Sequence, residues 1–269
     1  AARVAVGAVC KRLLAEFGIE VGSYVTMIGG VEAALSQNPG ADEVRERFAR
    51  AEESEVRCPL PAASDAMRAR IRAAIQARDT LGGVFEVVAL GVPPGLGSHV
   101  HYDRKLDGRL MGAVGSIQAI KGVEIGRAFA DAARPGTEVH DPIVRGADGS
   151  LLRHGNNAGG TEGGITTGEA LVVRAAMKPL STTLNPLPTV DLATGEPTEA
   201  VYERSDTCAV PRAAVVGEAM VAFVLADALL EKLGGDSLAE LRPRFEALRR
   251  SHLDDLPVDN RPWRFGFED

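Results

Sequence analysis

Cysteine, aromatic residues, surplus positive charge and nucleotide-loop motifs are all scarce or missing in this chain. Only three cysteines occur in 269 residues. Cys10, Cys58 and Cys208 lie far apart and form no CxxC pair, which excludes a disulfide framework and fits reduced thiols. Aromatics make up 4% of the residues, too few for a surface that stacks nucleic-acid bases. The charge points the same way, because 37 acidic residues outnumber 30 basic ones for a formal net charge of -7, and a phosphate-backbone binder carries the opposite balance. No apolar run approaches the roughly 20 residues that span a bilayer, and no secretory leader is visible. The expectation is a cytoplasmic protein with no membrane or nucleic-acid partner. GxxxxGK[ST] is absent, and no GxGxxG joins a strand to a helix, which excludes P-loop and Rossmann sites.

What is present is ordinary globular material, 45% hydrophobic and 25% charged, in a length sufficient for one large core. Val4, Ala8, Leu13 and Phe17 recur at helical spacing and predict a helix over 2–17, stopped by Gly18. A buried strand is expected over 23–28, and a polar surface insertion over 37–55. Residues 58–61 read as extended, and Ser64 or Asp65 is placed to cap a helix that turns Met67, Ile71, Ala74 and Ile75 inward. A strand over 84–90 follows. A helix over 104–120 carries Gly108, Gly112 and Gly115, each costing about 1 kcal/mol relative to Ala, which predicts close approach of a neighbouring backbone. Short strands are expected over 122–126 and 199–203, and a longer one over 169–177 that delivers Lys178. Pro211 opens a long helix to Leu233, Asp236 or Ser237 caps a last helix that Pro243 kinks, and the tail from Leu256 reads as surface-pinned or mobile. Helices and strands alternate without clean βαβ units, so an α+β fold in a single domain over 1–269 is expected.

Three segments carry chemistry. The stretch NNAGGTEGG at 156–164 offers main-chain amides in a glycine-rich loop, the physics of an anion nest, although a flexible hairpin or lid explains it equally well. KPLSTT at 178–183 sets an ammonium and three hydroxyls at a strand end, suited to a phosphate; its plain alternative is a solvated turn. RSD at 204–206 places a guanidinium beside a carboxylate, which alone is a surface ion pair ahead of a helix. Around one polyanionic ligand the three form a cradle with one acid–base group. Glu218 either joins them or is buried and paired. His99 and His101 share one face of a strand without a third ligand at a diagnostic spacing, so no metal is expected. His154 is the only histidine beside the glycine loop.

Together with SIQAIKGVEIG at 116–126, AMKPLST at 176–182 and RSDTCAVP at 204–211, the chain resembles the chorismate synthase family from Ala1 to about Leu241. The resemblance implies a β-α-β sandwich with helices packed between antiparallel sheets, assembled as a homotetramer. It implies anti-1,4-elimination of phosphate from 5-enolpyruvylshikimate 3-phosphate to give chorismate, with reduced FMN as cofactor and NADPH as an external reductant. The family's flavin-contacting positions correspond to Gln118, Ala119, Asn156, Gly163, Lys178, Pro179, Leu180, Ser181, Thr182 and Arg204, and its acid acting on the flavin N5 proton corresponds to Asp206. Leu180 departs from the small or hydroxylated residue common there. The family's histidine motifs, substrate-gripping arginines and Arg-Ser-Ser flavin segment do not appear, so the chain is expected to be incomplete on its N-terminal side and inactive alone. The competing expectation is a non-catalytic flavin- or phosphate-binding homologue or assembly module.

Overall fold

The computed structural model describes residues 1–248 and 252–255; the tail predicted from Leu256 lies outside them. In chain order come α1 (Ala2–Ala15), β1 (Glu20–Ile28), β2 (Val31–Glu32), α2 (Ala41–Glu53), α3 (Pro61–Gln76), β3 (Gly83–Leu90), α4 (Leu106–Gly115) and β4 (Ile120–Ile125). Two helical turns follow, α5 (Ala128–Asp131) and α6 (Gly136–Val139), then β5 (Ile143–Arg145), β6 (Leu151–Arg153), β7 (Thr161–Glu162), β8 (Ile165–Thr166) and β9 (Leu171–Met177). The last described elements include β10 (Pro188–Val190), β11 (Pro197–Glu199), α7 (Val210–Leu233) and α8 (Leu238–Glu246).

The main sheet has five strands in the order β2-β1-β3-β9-β4, antiparallel throughout. Alternation along β9 sends Leu171, Val173, Ala175 and Met177 into the core, as a strand period of two requires. α7 and α4 lie on that face, and α1 packs on α7. This is the expected α+β class. The side of α1 and α7 away from the sheet exposes Val6, Val9, Phe223 and Leu230, and no second large sheet occurs among the described residues.

α7 corrects one expectation. By length and composition it could cross a bilayer, and two thirds (67%) of its most apolar window is buried inside the protein. A helix packed between a sheet and two other helices buries most of its surface and so is largely apolar, with Asp227 and Glu231 among its few exposed charges. The one acid buried midway along α7, Glu218, is satisfied internally. It accepts from Ser23 Oγ at 2.8 Å and pairs with Lys11, with Arg57 3.8 Å away. Glu218 therefore locks α1, β1 and α7 together and does not join the 204–206 segment.

Close backbone approach occurs, but not where predicted. A Cβ on Gly7 would stand 2.3 Å from the Cβ of Ala219, and one on Gly217 would stand 2.6 Å from the Phe85 ring. At Gly112, by contrast, nothing lies within 4 Å, and Gly108 and Gly115 meet atoms only at 3.7 and 3.9 Å. α4 is shorter than the predicted 104–120 and packs through Leu106, Leu110 and Val114, which leaves its glycines on the open side.

Other differences are local. The polar 37–55 stretch contains α2, because Val44 and Ala51 form a buried stripe narrow enough to be hidden by charge. α3 starts with Pro61 in its first turn instead of at Ser64 or Asp65, since proline's fixed φ and missing N–H suit that position. Residues 199–203 form no strand beyond the end of β11. α8 follows Ser237 and runs through Pro243.

Candidate functional site

The end of β9 organises the site. Met177 pairs with Gly83 on one side and Ile120 on the other, and the next residue leaves the sheet. Lys178 N donates to Ala119 O at 2.9 Å, where Ala119 holds φ +66° in the tight connection between α4 and β4. This joins the Gln118–Ala119 pair to the 178–182 turn. Two hydroxyls fasten the turn: Thr80 Oγ1 donates to Leu180 O at 2.6 Å, and Ser205 Oγ donates to Thr182 O at 2.9 Å. Leu81 N donates to Thr207 O at 2.8 Å. Gly82 lets these strands close up, because a Cβ there would lie 2.3 Å from Met177 O and 2.9 Å from Pro179 N. The exposed β10–β11 ribbon spans the interval between the two motif segments.

The polar groups left over at this end of the sheet are mostly donors. Lys178 and Arg204 are exposed and have no ion-pair or side-chain hydrogen-bond partner among the described residues, and neither do the hydroxyls of Ser181 and Thr182. Asp206 pairs with Arg212 in the first turn of α7, both of them solvent-exposed. Cations without counter-charges beside unsatisfied hydroxyls are the donor set that a phosphate requires. Leu180 packs against the main core, so its departure from the family pattern is taken up inside the protein. Burial pushes the nearby Cys208 thiol up, and Asp206 adds to that shift.

Asn156 and Gly163 are placed elsewhere. Asn156 Nδ2 donates to Ala170 O at 2.7 Å, just before β9 begins, whereas Lys178 follows its end. The 7 residues of β9 separate them by roughly 20 Å. Gly163 and Gly164 form the β7–β8 turn with φ +61° and +89°, the positive pair that a two-residue hairpin demands. Gly164 O accepts from Leu106 N at 2.8 Å, which seats the hairpin on the start of α4, and Ala119 lies beyond its far end. The 10 residues of α4 put about 15 Å between them. The structure thus brings the second and third segments together and sets the first apart.

The glycine loop does cradle an anion, and that anion is internal. Buried Asp141 accepts from Asn157 N at 3.0 Å and Ala158 N at 2.9 Å, and Asn157 Nδ2 adds a third bond at 3.1 Å. Gly159 and Gly160 are required because a Cβ on either would strike Gly126 N at 2.3 Å or Ala170 O at 2.6 Å. Asp141 is 16 residues from Asn157, and no local motif in the sequence announces the pairing.

The sheet face opposite α4 and α7, partly covered by α2, carries a cleft of about 720 Å³, lined by Arg45, Arg47, Arg127, Arg153 and Arg174 among others. Four of these arginines are already matched: Arg45 with Glu20, Arg47 with Glu43, Arg153 with Glu162 and Arg174 with Glu124. Burial raises the Tyr24 phenol and the Glu86 carboxyl well above their ordinary values at its floor. The fifth, Arg127, bonds only the neutral amide of Gln37, so the cleft keeps one cation without a counter-charge, against two beside free hydroxyls at Lys178 and Arg204.

Comparison with known proteins adds a third kind of observation. A family model described as chorismate synthase matches residues 1–230. The chorismate synthase of Aquifex aeolicus (strain VF5) is 53% identical over 252 residues, covering 91% of this chain and 63% of its own length. That of Acidothermus cellulolyticus (strain ATCC 43068 / DSM 8971 / 11B) is 55% identical over 259 residues, covering 96% and 64%. A solved structure described as the crystal structure of chorismate synthase matches with a TM-score of 0.79 at 48% identity, covering 91% of this chain and 67% of that one. The chain spans less than two thirds of the length of these curated relatives.

Proposed function

Because this chain belongs to the chorismate synthase family, we propose that the protein eliminates phosphate from 5-enolpyruvylshikimate 3-phosphate to give chorismate, with reduced FMN held at the 178–182 turn. One observation carries this reading: two unpaired cations, Lys178 and Arg204, stand near two free hydroxyls on segments fastened to each other. The cofactor fits that donor set. Lys178 and the hydroxyls of Ser181 and Thr182 would hold its phosphate, Gln118 and Ala119 would border it, and Arg204 would add charge from the neighbouring segment.

The reaction breaks the C3–O bond, releases phosphate and removes a proton from C6, leaving a new double bond and no net redox change. Reduced FMN, when bound, supplies electron density that assists departure of the phosphate. The chain's own residues then do two things. Lys178 and Arg204 stabilise negative charge on the bound and departing phosphates, a preorganised electrostatic role. Asp206, next to Ser205 and Arg204, provides a carboxylate oxygen that accepts a proton, with its place set by Arg212.

Asn156 and Gly163 enter this scheme through assembly. In a homotetramer they would reach a flavin held by the 178–182 turn of another copy. The protein works in the cytoplasm, with NADPH as the external source of reducing power. The direct test is anaerobic incubation of the gene's whole product with 5-enolpyruvylshikimate 3-phosphate and chemically reduced FMN, since the 269-residue chain by itself is expected to be inactive. Stoichiometric release of phosphate and chorismate is expected; no turnover with cofactor bound would instead leave a binding protein.

A further inference from the structure

A peptide turn that faces an anion has to direct its carbonyl oxygens elsewhere, because each carries negative charge that repels the ligand. In the 178–182 turn two alternate carbonyls are engaged in this way. Leu180 O accepts from Thr80 Oγ1 at 2.6 Å, and Thr182 O accepts from Ser205 Oγ at 2.9 Å. The two donors come from different segments, one ahead of β3 and one ahead of α7. Thr80 is itself buried, and its neighbour Leu81 ties the same bracket to Thr207 through the main chain.

Beyond these, the turn is held by the Lys178 N–Ala119 O bond at its start and by Leu180 packing on the core. Lys178, Pro179 and Ser181 are exposed, and the chain then enters the exposed ribbon before returning at Arg204. Without Thr80 and Ser205, the Leu180 and Thr182 carbonyls would have no hydrogen-bond donor among the described residues.

We infer that Thr80 and Ser205 are positioning residues of the flavin site, which hold the Leu180 and Thr182 carbonyls away from the bound phosphate and set the spacing between the 178–182 turn and the 204–206 segment. This rests on the proposal that FMN binds at this turn. Neither hydroxyl touches the reacting atoms. Their effect is on cofactor affinity, and on turnover only through it.

The experiment measures FMN binding to the purified protein by quenching of flavin fluorescence, for the unsubstituted protein and for Thr80→Val, Thr80→Ser and Ser205→Ala. Loss of one such hydrogen bond corresponds to about 0.5–1.5 kcal/mol, so Thr80→Val and Ser205→Ala should each weaken FMN about three- to tenfold. Thr80→Ser keeps the donor and should restore binding to within about twofold. Ser205 is only partly buried, so its substitution keeps the test open even if Thr80→Val does not fold. Melting temperatures of folded variants should stay close to that of the unsubstituted protein. Thr80→Val or Ser205→Ala binding FMN as tightly as the parent would overturn the inference and leave the flavin proposal intact, as would Thr80→Ser failing as badly as Thr80→Val. An unsubstituted protein that binds no FMN would overturn both.

Discussion

Asp206→Asn is expected to lower chorismate formation by about 10²- to 10⁴-fold, the usual contribution of a positioned acid–base group, while FMN affinity changes little. Asparagine has the shape of aspartate but cannot take up a proton at neutral pH. The substitution also removes the ion pair with Arg212. That pair is 72% and 50% exposed at its two side chains, and such contacts add at most about 1 kcal/mol, so folding should not confuse the result. Two measurements separate the effects: single-turnover phosphate release with reduced FMN, and flavin titration of the same preparation. Unchanged turnover would remove Asp206 from the chemistry. Joint loss of turnover and flavin binding would make it a structural residue of the site.

The second large effect concerns the core. A side chain on Gly7 has no space, since even a Cβ would lie 2.5 Å from the Cα of Ala219, and backbone cannot move aside as a flexible side chain does. Gly7→Leu is therefore expected to force α1 off α7 and to cost about 3 kcal/mol or more. For a chain of this size, that is a fall in melting temperature on the order of 10 °C. Gly112→Ala should act in the opposite direction, raising stability by roughly 0.5–1 kcal/mol, because helix propensity improves and nothing lies within 4 Å. Calorimetry of both variants decides the matter. A Gly7→Leu protein that melts with the parent, or a Gly112→Ala protein that melts lower, would contradict the packing described.

These two positions also show how far the sequence could be read. The cost of three glycines in one helix was visible at Gly108, Gly112 and Gly115, and the inference of tight packing was reasonable. Propensity registers only the loss within a helix, however, and not what stands opposite. Gly7 and Gly217 meet their partners across more than a hundred residues, with no local trace. The strands predicted over 84–90 and 169–177 and the helix ending at Leu233 were legible because alternation or a continuous apolar run, bounded by glycine or proline, marks them. α2 was not, since its buried stripe of Val44 and Ala51 sits among charges.

At the site, residue type alone showed cations and hydroxyls gathered in the 178–182 and 204–206 segments, and the structure fastens those segments together through Ser205 and Thr182. The glycine run was legible as a nest but not as one already filled, because Asp141 approaches from outside the motif. Thr80 was passed over inside a short turn-like sequence. Its hydrogen bond reaches a carbonyl 100 residues later in the chain, which no local pattern encodes.

The decisive measurement is a crystal structure of the protein with FMN bound. The phosphate is expected within hydrogen-bonding distance of Lys178 and the hydroxyls of Ser181 or Thr182, with Thr80 and Ser205 still on their carbonyls. A flavin lodged in the arginine-lined cleft on the other face of the sheet, with the 178–182 turn empty, would contradict the assignment.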